Sequence, residues 1–225
     1  PAVQLKQARL LQQIGGKANL TKAAKRLNRW LEQTGSSDSP TNAAGTIAGD
    51  VLYQLAWIQR DLRHQAQSQT YFQQLVAEHP DSKYWPDASY RLLADAMAEK
   101  DYSTAKSLIK AIDNHQSVPT EIEARSTFYA GKIAVANQDW PAVERAMTKF
   151  SAFPASKTLK STANYFLAES LFQQSDFDRS KIRFGQLVST DEKTGDVATP
   201  ASDATANALP EKFKAWVWLR IAQLQ

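Results

Sequence analysis

The chain has 225 residues, with 27 Lys and Arg against 23 Asp and Glu, and is 43% apolar and 22% charged. That length supports a sizeable core, and the composition is ordinary for a folded protein. There is no cysteine, which excludes disulfides and thiolate metal centres, and no run of about 18 apolar residues that would suggest a membrane span. The formal charge of +4 reads as scattered through the helices rather than gathered on one stripe, so nucleic acid is not an expected partner. The chain starts at Pro1 rather than Met, in keeping with a processed chain or an excised segment.

Residues 1–33 carry two helical patterns. Val3, Leu5, Ala8, Leu10 and Leu11 form the first, and Leu20, Ala23, Ala24, Leu27, Trp30 and Leu31 the second. Both follow the spacing of one apolar face, and Gly15-Gly16 breaks them into an antiparallel pair. Residues 34–48 are rich in Gly, Ser, Thr and Ala and read as a loop insertion.

From residue 49 to 188 the chain repeats itself. Ala56, Ala94, Gly131 and Ala168 are separated by 38, 37 and 37 residues. Ser68, Ala105, Val143 and Ser180 run at 37, 38 and 37, as do Phe72, Ile109, Met147 and Phe184. A fixed period of about 20–50 residues marks a repeat array. Each unit reads as two helices, the first with a small residue where the second approaches closely. Between them stand Asp101-Tyr102, Asp139-Trp140 and Asp176-Phe177. Asp is a good N-cap for the second helix, and Pro141 suits a first-turn position. Pro80, Pro119 and Pro154 close the units, because proline restricts the residue before it.

The small residue on the first helix, the Asp-aromatic turn, the residue returned by the second helix and the closing proline together resemble the tetratricopeptide repeat. The unit of about 37 residues is longer than the family's usual 34. Departures are Leu93-Ala94 for Leu-Gly, Val143 for a small residue, and Gln59 where Tyr is usual. The corners His79-Pro80-Asp81-Ser82-Lys83-Tyr84 and Phe153-Pro154-Ala155-Ser156-Lys157, each leading to an Ala-x-Tyr helix, are similar to those of bacterial envelope members. These are the Tol-Pal-associated cell-division coordinator and the outer-membrane assembly lipoprotein of the β-barrel machinery.

Residues 189–210 are polar and small and read as a second loop insertion. The apolar pattern restarts over 211–225, where Trp218-x-x-Ile221-Ala222 is similar to the family's opening rhythm. This helix either caps the array or opens a further repeat. The expected fold is thus all-α, a right-handed solenoid of five hairpins and a final helix forming a single domain.

Candidate chemistry is sparse. His64, His79 and His115 lie in or beside turns in different units, without metal-ligand spacing. There is no phosphate loop and no nucleophile elbow. Asp95, Glu144 and Glu169 read as ordinary helix-surface carboxylates. No catalytic residue, metal or cofactor is expected. The first helices of a repeat array line its concave side, and counting from the small residue places Tyr53, Trp57 and Arg60 there. Arg91 and Asp95 follow in the second unit, Phe128 and Lys132 in the third, and Tyr165, Glu169 and Phe172 in the fourth. Aromatics interleaved with both charges suit an extended peptide or partner helix. The expected function is a non-enzymatic scaffold that binds a protein or peptide in that groove, in the bacterial periplasm or envelope. The alternatives are a non-catalytic arm of a larger enzyme or transport assembly, and a cytoplasmic location.

Overall fold

The structure, a computed structural model, describes residues 2–35, 42–192 and 211–224. Among these are eleven α-helices, placed in two compact units, Pro1–Ser117 and Val118–Gln225. The first unit holds three hairpins: α1 (Ala2–Ile14) with α2 (Lys17–Gly35), α3 (Asn42–Asp61) with α4 (Gln65–Glu78), and α5 (Trp85–Glu99) with α6 (Tyr102–Asn114). The second holds α7 (Thr120–Ala136) with α8 (Trp140–Ser151), α9 (Lys157–Gln173) with α10 (Phe177–Glu192), and α11 (Glu211–Gln223). The class is all-α, and in each unit a helix packs on its sequence neighbours as in an α-solenoid.

The turns explain why the helices stop where they do. Gly15 and Gly16 have φ of +73° and +81°, left-handed angles that glycine adopts without steric cost. Asp101, Asp139 and Asp176 accept hydrogen bonds from the backbone N–H of Thr104, Ala142 and Arg179 at 3.1, 3.1 and 3.2 Å. They cap the second helices as their type requires. For Asp101 and Asp176, side-chain hydrogen bonds first and those backbone bonds after them hold the carboxyl below its ordinary pKa. Thr104 is the leading cause for Asp101, and the Arg179 side chain for Asp176. The corner after α4 is closed by Trp85. Its indole N–H donates to the Val76 carbonyl at 3.1 Å, and its ring stacks on His115 at 4.2 Å.

The periodic residues are core residues. Ser68, Ala105, Val143 and Ser180 are each at most 1% exposed, and Phe72, Met147 and Phe184 are fully buried. One register is corrected. The interval to the second series places Leu93, fully buried, opposite Ala56, Gly131 and Ala168, whereas Ala94 is half-buried. At Gly131 a Cβ would overlap the Met147 methyl, so this position of the third regular repeat is tight.

The two loop insertions are shorter than their composition suggests. α3 begins at Asn42, so residues 42–48 belong to its first turns. Ile47 and Ala48 extend the apolar face of Val51, Leu52 and Leu55 by one helical step and pack on the core of the first unit. α10 continues to Glu192. The remainder of those insertions, 36–41 and 193–210, lies outside the described residues. α11 buries Val217 with Phe213, Ile221 and Leu224 against α9 and α10, while Trp216, Trp218 and Leu219 stand 51%, 58% and 45% exposed. No helix among the described residues is long and apolar enough to cross a membrane.

Candidate functional site

In the first unit, the first helices of the second and third hairpins carry a compact aromatic–ionic surface. The Tyr53 ring on α3 stacks on Tyr84 at 4.1 Å and 6° and meets the edge of Trp57 at 6.3 Å. Its hydroxyl donates to Asp87 at 2.8 Å. Burial first, and that acceptor second, push the Tyr53 phenol up to about 12. Trp57 rests edge-on against Phe72 at 6.2 Å, and the Arg91 guanidinium lies 4.9 Å over its indole. Such a placement is attractive because the ring face is electron-rich.

Asp87 holds this cluster together. It accepts from Tyr53 on α3 and, at 3.2 and 3.4 Å, from Arg91 one turn along α5. Arg60 reaches across to Asp95 at 3.2 Å. That pair is only half satisfied: among the described residues, Arg60 Nη1 and Asp95 Oδ2 are enclosed without a hydrogen-bond partner. Arg9 of α1 donates to the Tyr84 hydroxyl at 3.4 Å.

Of the ten residues singled out from the sequence, five therefore come together here: Tyr53, Trp57, Arg60, Arg91 and Asp95. The other five belong to the second unit. Phe128 is 8% exposed and packs on Phe150 at 5.2 Å in the core of the second unit. Tyr165 is also 8% exposed, stacked on Phe213 of α11 at 4.4 Å. Burial chiefly, with the nearby Glu169 carboxylate, raises its phenol to about 12. Glu169 accepts from Arg220 of α11 at 2.6 and 3.0 Å, and that guanidinium lies 4.1 Å over Phe172. α11 thus covers Tyr165, Glu169 and Phe172. Lys132 is exposed, its ammonium 5.6 Å from the Tyr129 ring.

Two participants went unread in the sequence, Tyr84 and Asp87. Asp87 stands four residues before Arg91, the spacing of a helical ion pair, which was a usable signal. Tyr53, Tyr90, Phe128 and Tyr165 also form an unbroken aromatic series at intervals of 37, 38 and 37. The last three of these are buried, so the position serves packing first. Among the described residues no cluster of His, Asp and Glu could hold a metal ion.

Comparison with known structures places this geometry. The chain aligns with a solved structure described as a MamA RS-1 double mutant at a TM-score of 0.57, with 17% identity over 85% of this chain and 97% of that one. It also aligns with a kinesin light chain of TPR-like repeats from Podosopora anserina at 0.52, with 15% identity over 87% and 97%. The chain has the tetratricopeptide-repeat fold. A second crystal structure of the same Podosopora anserina repeats aligns at 0.50 with 14% identity, covering 86% and 95%. Residues 16–119 match the family described as YfiO, outer membrane lipoprotein, a stretch that ends at the boundary of the first unit. No curated protein sequence matches the chain.

Proposed function

We propose that this protein is a non-catalytic scaffold of the bacterial envelope whose first helices bind a peptide or partner protein, with the working surface in the first unit. One observation carries the reading: Trp57 stands half-buried between Phe72 and the Arg91 guanidinium, with the half-satisfied Arg60–Asp95 pair one turn away. An aromatic and two arginines held in place by their neighbours form the kind of anchor that dominates peptide interfaces. They lose little side-chain freedom on binding because Asp87 and Asp95 already orient them. The match of residues 16–119 to an outer-membrane lipoprotein family supports the envelope setting.

A photo-crosslinking amino acid placed in turn at Trp57, Arg91, Lys106 and Lys110 in the native cell tests the proposal. The last two are exposed on α6, a second helix. The same partner is expected at 57 and 91 and at neither lysine. Arg60→Ala is expected to reduce the yield at 57 about tenfold or more, the size of a single hot-spot loss. Equal yields at all four positions would place the interface elsewhere.

A further inference from the structure

The N-terminal hairpin has an outer surface that the scaffold reading does not use. On α2, Lys22, Lys25, Arg26 and Arg29 recur at i, i+3, i+4 and i+7, and all four are exposed. They stand opposite the buried Leu20, Ala23, Leu27 and Trp30, which face α1 and α3. Residues 1–35 contain seven Lys and Arg against one Glu, while the whole chain carries a net +4. The charge is therefore concentrated on this hairpin. Like charges three and four residues apart weaken a helix, and Glu32, three residues beyond Arg29, is the one carboxylate among residues 1–35.

Beside this ridge lies an apolar stripe. Val3, Leu10 and Ile14 are 68%, 51% and 72% exposed, and with Gln7 they follow i, i+4, i+7 and i+11 along the outer face of α1. The two stripes adjoin, because Arg26 Nη1 donates to Gln7 Oε1 at 2.9 Å.

We infer that the outer face of the α1–α2 hairpin seats this protein on an anionic membrane surface. The α2 cations meet lipid phosphates, and Val3, Leu10 and Ile14 enter the boundary between headgroups and acyl chains. Charge complementarity selects an anionic occupant, and the other features narrow it. The cations crown a helix ridge rather than line a groove, so they answer to charge density and not to a side-chain pattern. Exposed aliphatics beside a basic stripe are the makings of an interfacial helix and gain nothing from a nucleic-acid backbone. Clusters of four or more Lys and Arg on an amphipathic helix are suited to anionic lipid, at about fivefold in affinity per charge.

Vesicle co-sedimentation of the intact chain tests this, using phosphatidylcholine alone and phosphatidylcholine containing a minority of phosphatidylglycerol. Binding is expected only to the anionic vesicles, and it should weaken as salt rises and screens the surface. The combined variant Lys22→Gln, Lys25→Gln, Arg26→Gln and Arg29→Gln is expected to partition several hundredfold less, about fivefold for each of four charges. A control removing the same charge elsewhere (Lys106→Gln, Lys110→Gln, Lys157→Gln, Lys160→Gln) should lose less than about threefold. Val3→Ser with Leu10→Ser and Ile14→Ser is expected to lose about tenfold or more while keeping the salt dependence. Circular dichroism confirms folding, since every substituted side chain is exposed. The inference is overturned if the anionic vesicles retain nothing or if the control loses as much as the α2 variant. It also falls if DNA or polyglutamate displaces the vesicles while the serine variant behaves as wild type, which would make the ligand a polyanion and not a membrane.

Discussion

Arg63, Lys100, Gln138 and Ser175 have φ of 63°, 60°, 57° and 62°, and they occupy the same place in four successive hairpins. After each, a backbone N–H reaches back five residues: His64 to Gln59 at 2.9 Å, Asp101 to Ala96 at 2.9 Å, Asp139 to Ala134 at 3.0 Å, and Asp176 to Leu171 at 2.9 Å. This is the Schellman closure of a helix, whose left-handed residue is usually glycine. A side chain in that conformation costs about 1–2 kcal/mol, while a glycine gives up about 0.5–1 kcal/mol through its freer unfolded state. Lys100→Gly is therefore expected to stabilise by about 0.5 kcal/mol, and Lys100→Val to destabilise by about 1–2 kcal/mol, because β-branching tolerates the left-handed region worst. Urea midpoints at constant slope measure both. Should the glycine variant lose as much as the valine one, the left-handed closure at residue 100 would be wrong. No residue type announces this position: Arg, Lys, Gln and Ser share only a backbone angle. The slip from Leu93 to Ala94 has a related cause, since a search for small side chains follows composition where the backbone register follows length.

At the scale of the element, α11 decides how much of the candidate surface within the second unit is free. The Arg220 and Glu169 side chains are only 16% and 13% exposed, and two hydrogen bonds join them. Glu169→Ala would leave a mostly buried guanidinium over Phe172 without its carboxylate. Breaking such a pair from one side costs roughly 3 kcal/mol, whereas replacing both partners with apolar groups costs far less. Amide exchange in α11 should accelerate by about two orders of magnitude in Glu169→Ala and recover substantially in the double variant Glu169→Leu, Arg220→Leu. No acceleration in Glu169→Ala would mean that α11 is held by Phe213, Val217 and Ile221 alone. This docking was not legible in the sequence, because residues 193–210 reveal nothing of where the following helix lands. The start of α3 was hidden for another reason. Gly, Thr and Ala mask a helical face when the apolar residues that complete it, Val51 and Leu52, lie in the next turn. The α2 stripe is legible in the sequence, because Lys22, Lys25, Arg26 and Arg29 follow the same i, i+3, i+4, i+7 spacing as the apolar face.

For the whole molecule, the repeat was legible because packing positions recur at a fixed interval. Ser68, Phe72 and their counterparts must be buried wherever a second helix returns on a first, and burial constrains side-chain size enough to leave a trace. A binding surface leaves no comparable trace, since exposed positions obey only the partner. Tyr53 and Trp57 could be placed side by side by counting, but Tyr84 and the reach of Asp87 to Tyr53 emerge only when α5 lies beside α3. The same nearest-neighbour logic sets how the chain loses structure. A repeat array is stabilised by contacts between adjacent repeats rather than by one shared core. Here Leu27 belongs to the core of the first unit and Phe184 to one in the second, both fully buried. Leu27→Ala should cost about 2–5 kcal/mol and Phe184→Ala about 3–5 kcal/mol, and each loss should stay local. In hydrogen exchange of the intact chain, Leu27→Ala is expected to expose amides of α1–α3 and leave α9 and α10 as in wild type. Phe184→Ala should expose α9–α11 and spare α3 and α4. If either substitution accelerates exchange evenly across all helices, the chain unfolds as one cooperative body. The surface around Trp57 would then depend on packing in the second unit as much as on its own helices.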